Sequence, residues 1–516
     1  MCLRHTNTCF LPILHRRLTD ERTSELDAKI SCCDAQLSKV ELIDTTPPRT
    51  LTPRLVLLLA SLSALLSSLD SSVNIAFPAI AAAFSLDVPS MQWIVISYVL
   101  TYASLLLGCG RLADLWGHQR LLTWGLVLSA LAFLLCGIAP TFSLFLAARV
   151  LQGVGIALVL AAAPALVTLT TPAETRGQAL GIFQMSAAVG FALGPLLGGI
   201  LVDTFGWRAV YLFRLLPAIL LAALAFSRIA LQPIRQDSQP FDWIGAMTLA
   251  GSVAGFLLAI SRGRDLGWLS PLVVTVFIGA ALCLVVFLLF EARTPAPVVD
   301  LKLFRRPAFV VANVLNVLAN CSMFAIWLLV PYYIVNGLGY TAKSGGLLLT
   351  MSPAATALVA PLAGKLSDRL GTARLSSLGL GVEALGLWSI AQLDANSHTL
   401  MVVVALGLVG IGLGLFQAPN MNFVMGAIPR EQQGVAGSMT QMMRTLGVVL
   451  GVTGASMMFA SRRAFHAEQL RLPTLDNAQS FIPAFQDVFL LAAFVCAIAV
   501  VLSLLRLKSP RVVTII

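Results

Sequence analysis

Two stretches of this chain are near copies of each other: Gly110-Arg111-Leu112-Ala113-Asp114-Leu115-Trp116-Gly117-His118-Gln119-Arg120 and Gly364-Lys365-Leu366-Ser367-Asp368-Arg369-Leu370-Gly371-Thr372-Ala373-Arg374, at a constant offset of 254. Gly, Leu, Asp, Gly and Arg coincide, and Arg111 matches Lys365 in charge. A weaker echo at an offset of 257 pairs Gln184, Gly190 and Gly194 with Gln441, Gly447 and Gly451. Long apolar runs lie between these polar marks. A duplicated polar loop between apolar runs is the pattern of a helical membrane protein built from two related halves, with a substrate site between them.

Composition agrees. Hydrophobic residues make up 58% of the 516 positions and charged ones 11%, with a mean hydropathy of +0.87, too little charge to cover a soluble surface of this size. A bilayer core about 30 Å thick needs roughly 20 apolar residues per helix. Hydropathy and turn residues place spans near 55–75, 91–110, 121–139, 142–168, 179–202, 209–227, 243–261, 271–290, 308–332, 345–364, 375–392, 399–418, 434–458 and 485–505. The fold class expected is therefore an all-α polytopic membrane protein with about 14 transmembrane helices. Residues 54–230 and 305–506 form two pseudo-symmetric six-helix bundles, and 240–292 an inserted two-helix hairpin. Residues 1–53 read as a cytoplasmic, disordered tail and 507–516 as a short cytoplasmic one.

By this placement about 24 Lys and Arg fall in the tails and the loops on their side, against about 7 in the other loops, so the positive-inside rule puts both termini in the cytoplasm. Both copies of the repeated loop follow an even-numbered span, so both face the cytoplasm. The net charge of +10 is spread between apolar runs without interleaved aromatics, which argues against a nucleic-acid partner. Four of the nine cysteines lie in the N-terminal tail and the rest in or beside apolar runs, so no disulfide framework is implied.

The Gly110–Arg120 segment resembles the loop signature of the major facilitator superfamily. In that family this loop latches the bundles on the cytoplasmic side when the transporter opens outward. The resemblance makes Gly110, Asp114, Gly117, Arg120 and their counterparts Gly364, Asp368, Arg369, Gly371 and Arg374 candidate gating residues. Gly181-x8-Gly190-x3-Gly194-Pro195-x2-Gly198-Gly199 matches the signature of the family's antiporters, in which a tightly packed, Pro-bent helix seals one side while the other opens. Leu69-Asp70-Ser71-Ser72-Val73-Asn74 through Pro78 resembles the first-helix signature of the fourteen-span drug:proton antiporter family, with Ser72 where threonine is usual.

Four intramembrane charges stand out, three of them (Asp70, Arg149 and Arg444) from these matches and Glu383 from its place in a span. Asp70 is a candidate for proton coupling or gating, against a plain helix-end residue hydrogen-bonded locally. Arg149, in a segment with Gln152, Gly153 and Gly155 that resembles the family's buried-arginine signature, would tune a nearby acid from the cavity, or else bond structurally to carbonyls. Glu383, mid-span, is weighed between proton or cation binding and a structural hydrogen bond. Arg444, after Gln441, matches a thirteenth-span arginine of the same antiporters; Gln152, Gln441 and Arg444 are the expected cavity residues. Arg214 departs from the family's usual asparagine and is expected to snorkel from a helix end.

No phosphate-binding G-x-x-x-x-G-K-[ST] loop and no H-E-x-x-H occur, so neither ATP, nor a metal, nor any other cofactor is expected, and no enzymatic activity. The resemblance implies a proton-coupled secondary transporter that exports small lipophilic or aromatic compounds by alternating access in a bacterial cell membrane. Its partners are then the substrate, protons and the lipid bilayer, with oligomeric state and any periplasmic adaptor left open. An importer of a metabolite or vitamin such as riboflavin is the rival reading. A non-transporting sensor or membrane enzyme is a third, without any recognisable catalytic constellation.

Overall fold

The computed structural model describes residues 52–85, 88–228, 241–294, 297–340, 342–469 and 478–508. The tail expected at 1–53 lies almost wholly outside these residues; of the one expected at 507–516, Leu507 and Lys508 end the last helix and the rest lies outside. The described chain is helical, with no strand among the described residues, and residues 51–516 form one compact unit. In chain order the helices are α1 (Pro53–Ser68), α2 (Val73–Phe84), α3 (Val88–Trp116), α4 (His118–Ile138), α5 (Phe142–Thr170), α6 (Arg176–Phe205), α7 (Ala209–Arg228), α8 (Trp243–Leu266) and α9 (Pro271–Glu291). There follow α10 (Pro307–Met323), α11 (Ala325–Tyr332), α12 (Ala342–Leu349), α13 (Met351–Leu370), α14 (Thr372–Ala391), α15 (Thr399–Gly426), α16 (Gln433–Gln469) and α17 (Ala478–Lys508).

Thirteen segments among the described residues are long and apolar enough to cross a bilayer. The fourteenth expected span is α14, which has the length but is diluted by Arg374, Glu383 and several hydroxyl residues. It packs between α15 and α17, which bury Ser376, Ser377 and Glu383, while Arg374 at its start is exposed. Three spans are broken where continuous helices are expected. The first divides at a 3-10 turn, Leu69–Ser72, because serine hydroxyls there bond back to the chain: Ser71 Oγ donates to the Ser68 carbonyl at 3.1 Å and Ser72 Oγ to Leu69 at 2.6 Å. The ninth divides at Phe324 and ends in a π-turn, Tyr333–Gly337; the tenth divides at Thr350. Conversely α16 runs 37 residues, about 55 Å at 1.5 Å per residue, well past a 30 Å core.

Packing follows the duplicated pattern. Within the first half α5 contacts α1, α3 and α4, and α4 contacts α7; within the second, α15 contacts α13 and α14, and α17 contacts α10 and α14. Four helix pairs join the halves, chiefly α3 with α16 and α6 with α13, together with α5 on α16 and α6 on α15. The hairpin α8–α9 lies against α3 and touches α16 through α8, beside the first of these seams.

Candidate functional site

Both copies of the repeated loop meet the opposite half in the same way. Asp114, at the end of α3, accepts hydrogen bonds from the backbone N–H groups of Gly434 (2.7 Å) and Val435 (3.1 Å), the open N-terminus of α16. Asp368, at the end of α13, accepts from those of Gly177 (2.9 Å) and Gln178 (3.1 Å), the start of α6. A helix start leaves several N–H groups without intrahelical partners and favours negative charge, so each aspartate caps a helix belonging to the other half. The Asp114 side chain is 1% exposed, with His118 Nε2 3.1 Å away; Asp368 is only partly buried and also accepts from Asn422 at 3.2 Å.

The glycines set the spacing. A Cβ on Gly110 would lie 2.6 Å from the Gly434 carbonyl oxygen, and one on Gly364 would collide with the Gly177 backbone, so larger residues would force the crossing helices apart. Gly117 (φ 98°) and Gly371 (φ 91°) then turn the chain into α4 and α14 through a conformation that L side chains rarely adopt. Arg369 and Arg374 are exposed and form no hydrogen bond or ion pair among the described residues, whereas Arg120 is engaged. The two crossings thus rest on the aspartates and glycines. Gly177 and Gly434 escape the sequence reading, although Pro172-x4-Gly177 and Pro429-x4-Gly434 repeat at the same 257 offset as the glutamines.

On α6, Gly181 packs on the backbone of Ala360 and Pro361, while Gly190, Gly194 and Gly198 lie against the first span around Leu65, Ser71 and Ser72. Gly199 faces open space, and the helix continues unbroken through Pro195.

The 3-10 turn carries Asp70 into a closed polar cluster. Its Oδ1 accepts from Arg149 Nη1 (2.9 Å), Gln152 Nε2 (2.8 Å) and Arg214 Nη1 (2.7 Å), and its Oδ2 from Arg149 Nη2 (3.1 Å). Arg149 also donates to the Ile94 carbonyl and to Gln152, and lies 4.5 Å above the Tyr98 ring. The expectation that Arg214 snorkels is corrected: it is 1% exposed, turned inward between the rings of Phe133 and Tyr211 at 4.6 and 5.0 Å. A shared carboxylate and two aromatic faces outweigh the hydration it would find at the helix end. One carboxylate therefore serves two guanidiniums.

Glu383 is elsewhere. It is fully buried on α14 with its backbone against Gly412 of α15, and neither carboxyl oxygen has a hydrogen-bond partner among the described residues. The structural hydrogen bond weighed for it is thus not found there. Between α6, α10, α11, α13, α15 and α16 lies a small open cavity of about 40 Å³, lined by Gln184, Phe191, Trp327, Thr356, Gln417 and Arg444 among others. Of the three expected cavity residues Arg444 lines it; Gln152 is instead locked in the Asp70 cluster and Gln441 is buried in α16.

Apolar helices of membrane length, buried intramembrane charges and a cavity between two linked halves define a polytopic helical membrane transporter. The chain belongs to the Major Facilitator Superfamily, whose family model matches residues 58–244, 241–452 and 312–515. It is 27% identical over 459 residues to the riboflavin transporter RibZ of Clostridioides difficile (88% of this chain, 98% of that protein). It is 32% identical over 380 residues to the multidrug resistance protein Stp of Mycobacterium tuberculosis (73% and 70%) and 30% over 402 to the methylenomycin A resistance protein of Streptomyces coelicolor (77% and 83%). Multidrug and antibiotic resistance proteins among its relatives agree with the drug:proton antiporter group. Among solved structures, FucP in the outward conformation superposes with a TM-score of 0.59 (16% identity, 87% and 98% covered) and XylE with 0.58 (15%, 88% and 98%), a likeness of fold.

Proposed function

We propose that this chain exports small lipophilic or aromatic organic compounds in exchange for protons, by alternating access in a cell membrane. The observation that carries the reading is Asp70, a carboxylate inside the membrane-spanning region held by Arg149, Arg214 and Gln152. A proton arriving on Oδ2 competes with Arg149 Nη2 for the same oxygen, so protonation loosens the guanidinium, which keeps its bond from Nη1 to Oδ1. Glu383 is a second proton carrier in this scheme. The end bearing Asp114 and Asp368 is the cytoplasmic one, as the excess of Lys and Arg in its loops supports. Residues 54–230 and 305–506 are the two moving bundles, the capped crossings close the inner face, and the glycine-rich α6 slides on α1 and α13 as the faces exchange.

The test is extrusion of neutral, cationic and anionic aromatic dyes from energised cells, with and without a protonophore, for the wild type and Asp70→Asn. Protonophore-sensitive extrusion lost in the variant is expected. Extrusion by Asp70→Asn with unchanged proton dependence would overturn the assignment. The similarity to a riboflavin transporter over nearly its whole length favours a second reading, inward movement of a flavin-like metabolite; concentrative riboflavin uptake into intact cells decides for it.

A further inference from the structure

Arg149 and Arg214, deep in the first half, are both paired with Asp70. Arg444, the third arginine placed deep between helices, is partly buried on the cavity wall and has no hydrogen bond or ion pair among the described residues. No carboxylate stands with it on that wall. The Asp70 cluster cannot supply one: it already holds two guanidiniums against a single acid. The path between the two sites is aromatic and hydroxylic. Tyr98 lies under Arg149, the Tyr98 and Tyr102 ring centroids are 5.1 Å apart, and Tyr102 Oη is 3.4 Å from the hydroxyl of Thr445, the residue after Arg444.

The rest of the wall suits a flat ring. Phe191 and Trp327 meet edge to face with centroids 4.7 Å apart, and the amides of Gln184 and Gln417 join across the cavity at 3.3 Å, leaving further donors and acceptors for a polar substituent. A guanidinium presents a planar fork of N–H donors that fits carboxylate, sulfonate or phosphate oxygens in pairs. A cationic ligand placed here would face Arg444 with no anion to offset it. We infer that the cavity takes an aromatic organic anion, its charged group on Arg444 and its ring against Trp327 and Phe191. This deepens the transporter reading above and rests on it for the direction of movement, but not for the binding chemistry. An exported anion also carries charge outward in the same electrical sense as an entering proton, so exchange is accelerated by an inside-negative potential.

The test is equilibrium binding to the purified full-length chain in detergent. The anionic probes are 2-naphthoate, 2-naphthyl phosphate and fluorescein; the others are neutral 2-naphthamide, riboflavin and cationic ethidium. The expected result is at least one anion bound tenfold or more tighter than 2-naphthamide and ethidium. Arg444→Gln abolishes that preference while leaving riboflavin or 2-naphthamide binding within twofold, and Arg444→Lys, which keeps the charge, retains part of it. Equal binding of anion and amide, tighter binding of ethidium, or a preference that survives Arg444→Gln in a monodisperse variant would overturn the inference. Transport in everted vesicles separates the two readings: Arg444-dependent anion binding without proton-driven movement overturns export and leaves the site, whereas proton-driven ethidium extrusion without anion preference does the reverse.

Discussion

Removing the two aspartate caps should open the end of the molecule that they close, and the structure ranks their effects. A helix N-cap contributes about 0.5–2 kcal/mol, toward the upper end where the carboxylate is shielded from water. Asp114, 1% exposed and bonded to two backbone N–H groups, falls near 2 kcal/mol; Asp368, partly exposed with the same two-bond geometry, near 1 kcal/mol. These bonds exist only while the halves are in contact, so their loss biases the equilibrium directly. Asp114→Ala should therefore raise the ratio of open to closed about 30-fold and Asp368→Ala about 5-fold. The crossings are separate and act on one global equilibrium, so the double variant should approach ~150-fold. The assay is double electron–electron resonance between spin labels at the exposed positions Trp116 and Glu431, on opposite halves at that end, in a cysteine-free background. A distance distribution unchanged in the double variant, or a larger effect from Asp368 than from Asp114, would refute this reasoning.

Three further outcomes follow from the same geometry. Gly364→Ala places a methyl group into the Gly177 backbone and should favour the open state by about 1–3 kcal/mol, as overpacking does, read as the same distance change. Asp70→Asn leaves Arg149 and Arg214 buried without their anion and should cost about 3–5 kcal/mol of unfolding free energy in detergent titration. Asp70→Asn with Arg214→Met should recover more than about 1 kcal/mol of that loss; strict additivity of the two would count against the shared-carboxylate account. Glu383→Gln removes an ionisable group that has no partner among the described residues and should leave stability unchanged or raise it by about 1 kcal/mol. A loss above about 2 kcal/mol would mean that the carboxyl makes a bond in the folded protein.

The fold was legible because it is written twice. The 254 offset fixes Asp114 and Asp368 as equivalent, and the structure sets both on helix starts in the opposite half. Their partners were harder to read, since Gly177 and Gly434 follow short loops and carry no side-chain chemistry to draw attention. The helix breaks were missed for a different reason: hydropathy averages over a span and cannot register serine hydroxyls turning back on their own carbonyls at Leu69–Ser72. Arg214 was misread because the cost of a buried cation was judged from its own helix. Its partner, Asp70, lies 144 residues away in sequence, and no local pattern announces that pairing.

Where the two halves agree and where they differ separates scaffold from chemistry. On α4 and α14 the 254 offset pairs Gly125 with Gly379, and on α5 and α15 the 257 offset pairs Gly153 and Gly155 with Gly410 and Gly412. Gly125 lies against the Gly155 carbonyl and Gly379 against that of Gly412, so the same close crossing is built in each half. The polar side chains at these crossings do not repeat. Arg149 and Gln152 correspond to Leu406 and Val409, while Ser129, packed on Gly155, corresponds to Glu383, packed on Gly412. Backbone contact thus constrains both copies equally, whereas a buried charge costs several kcal/mol and persists only where something specific offsets or uses it. In the first half the offset is visible, because Asp70 is matched by its arginines. In the second, Arg444 and Glu383 face different surroundings, a cavity and a packed helix interface, with no partner in either among the described residues. On the proposed reading, those two positions are where a substrate's charge and a transported proton have the most to contribute.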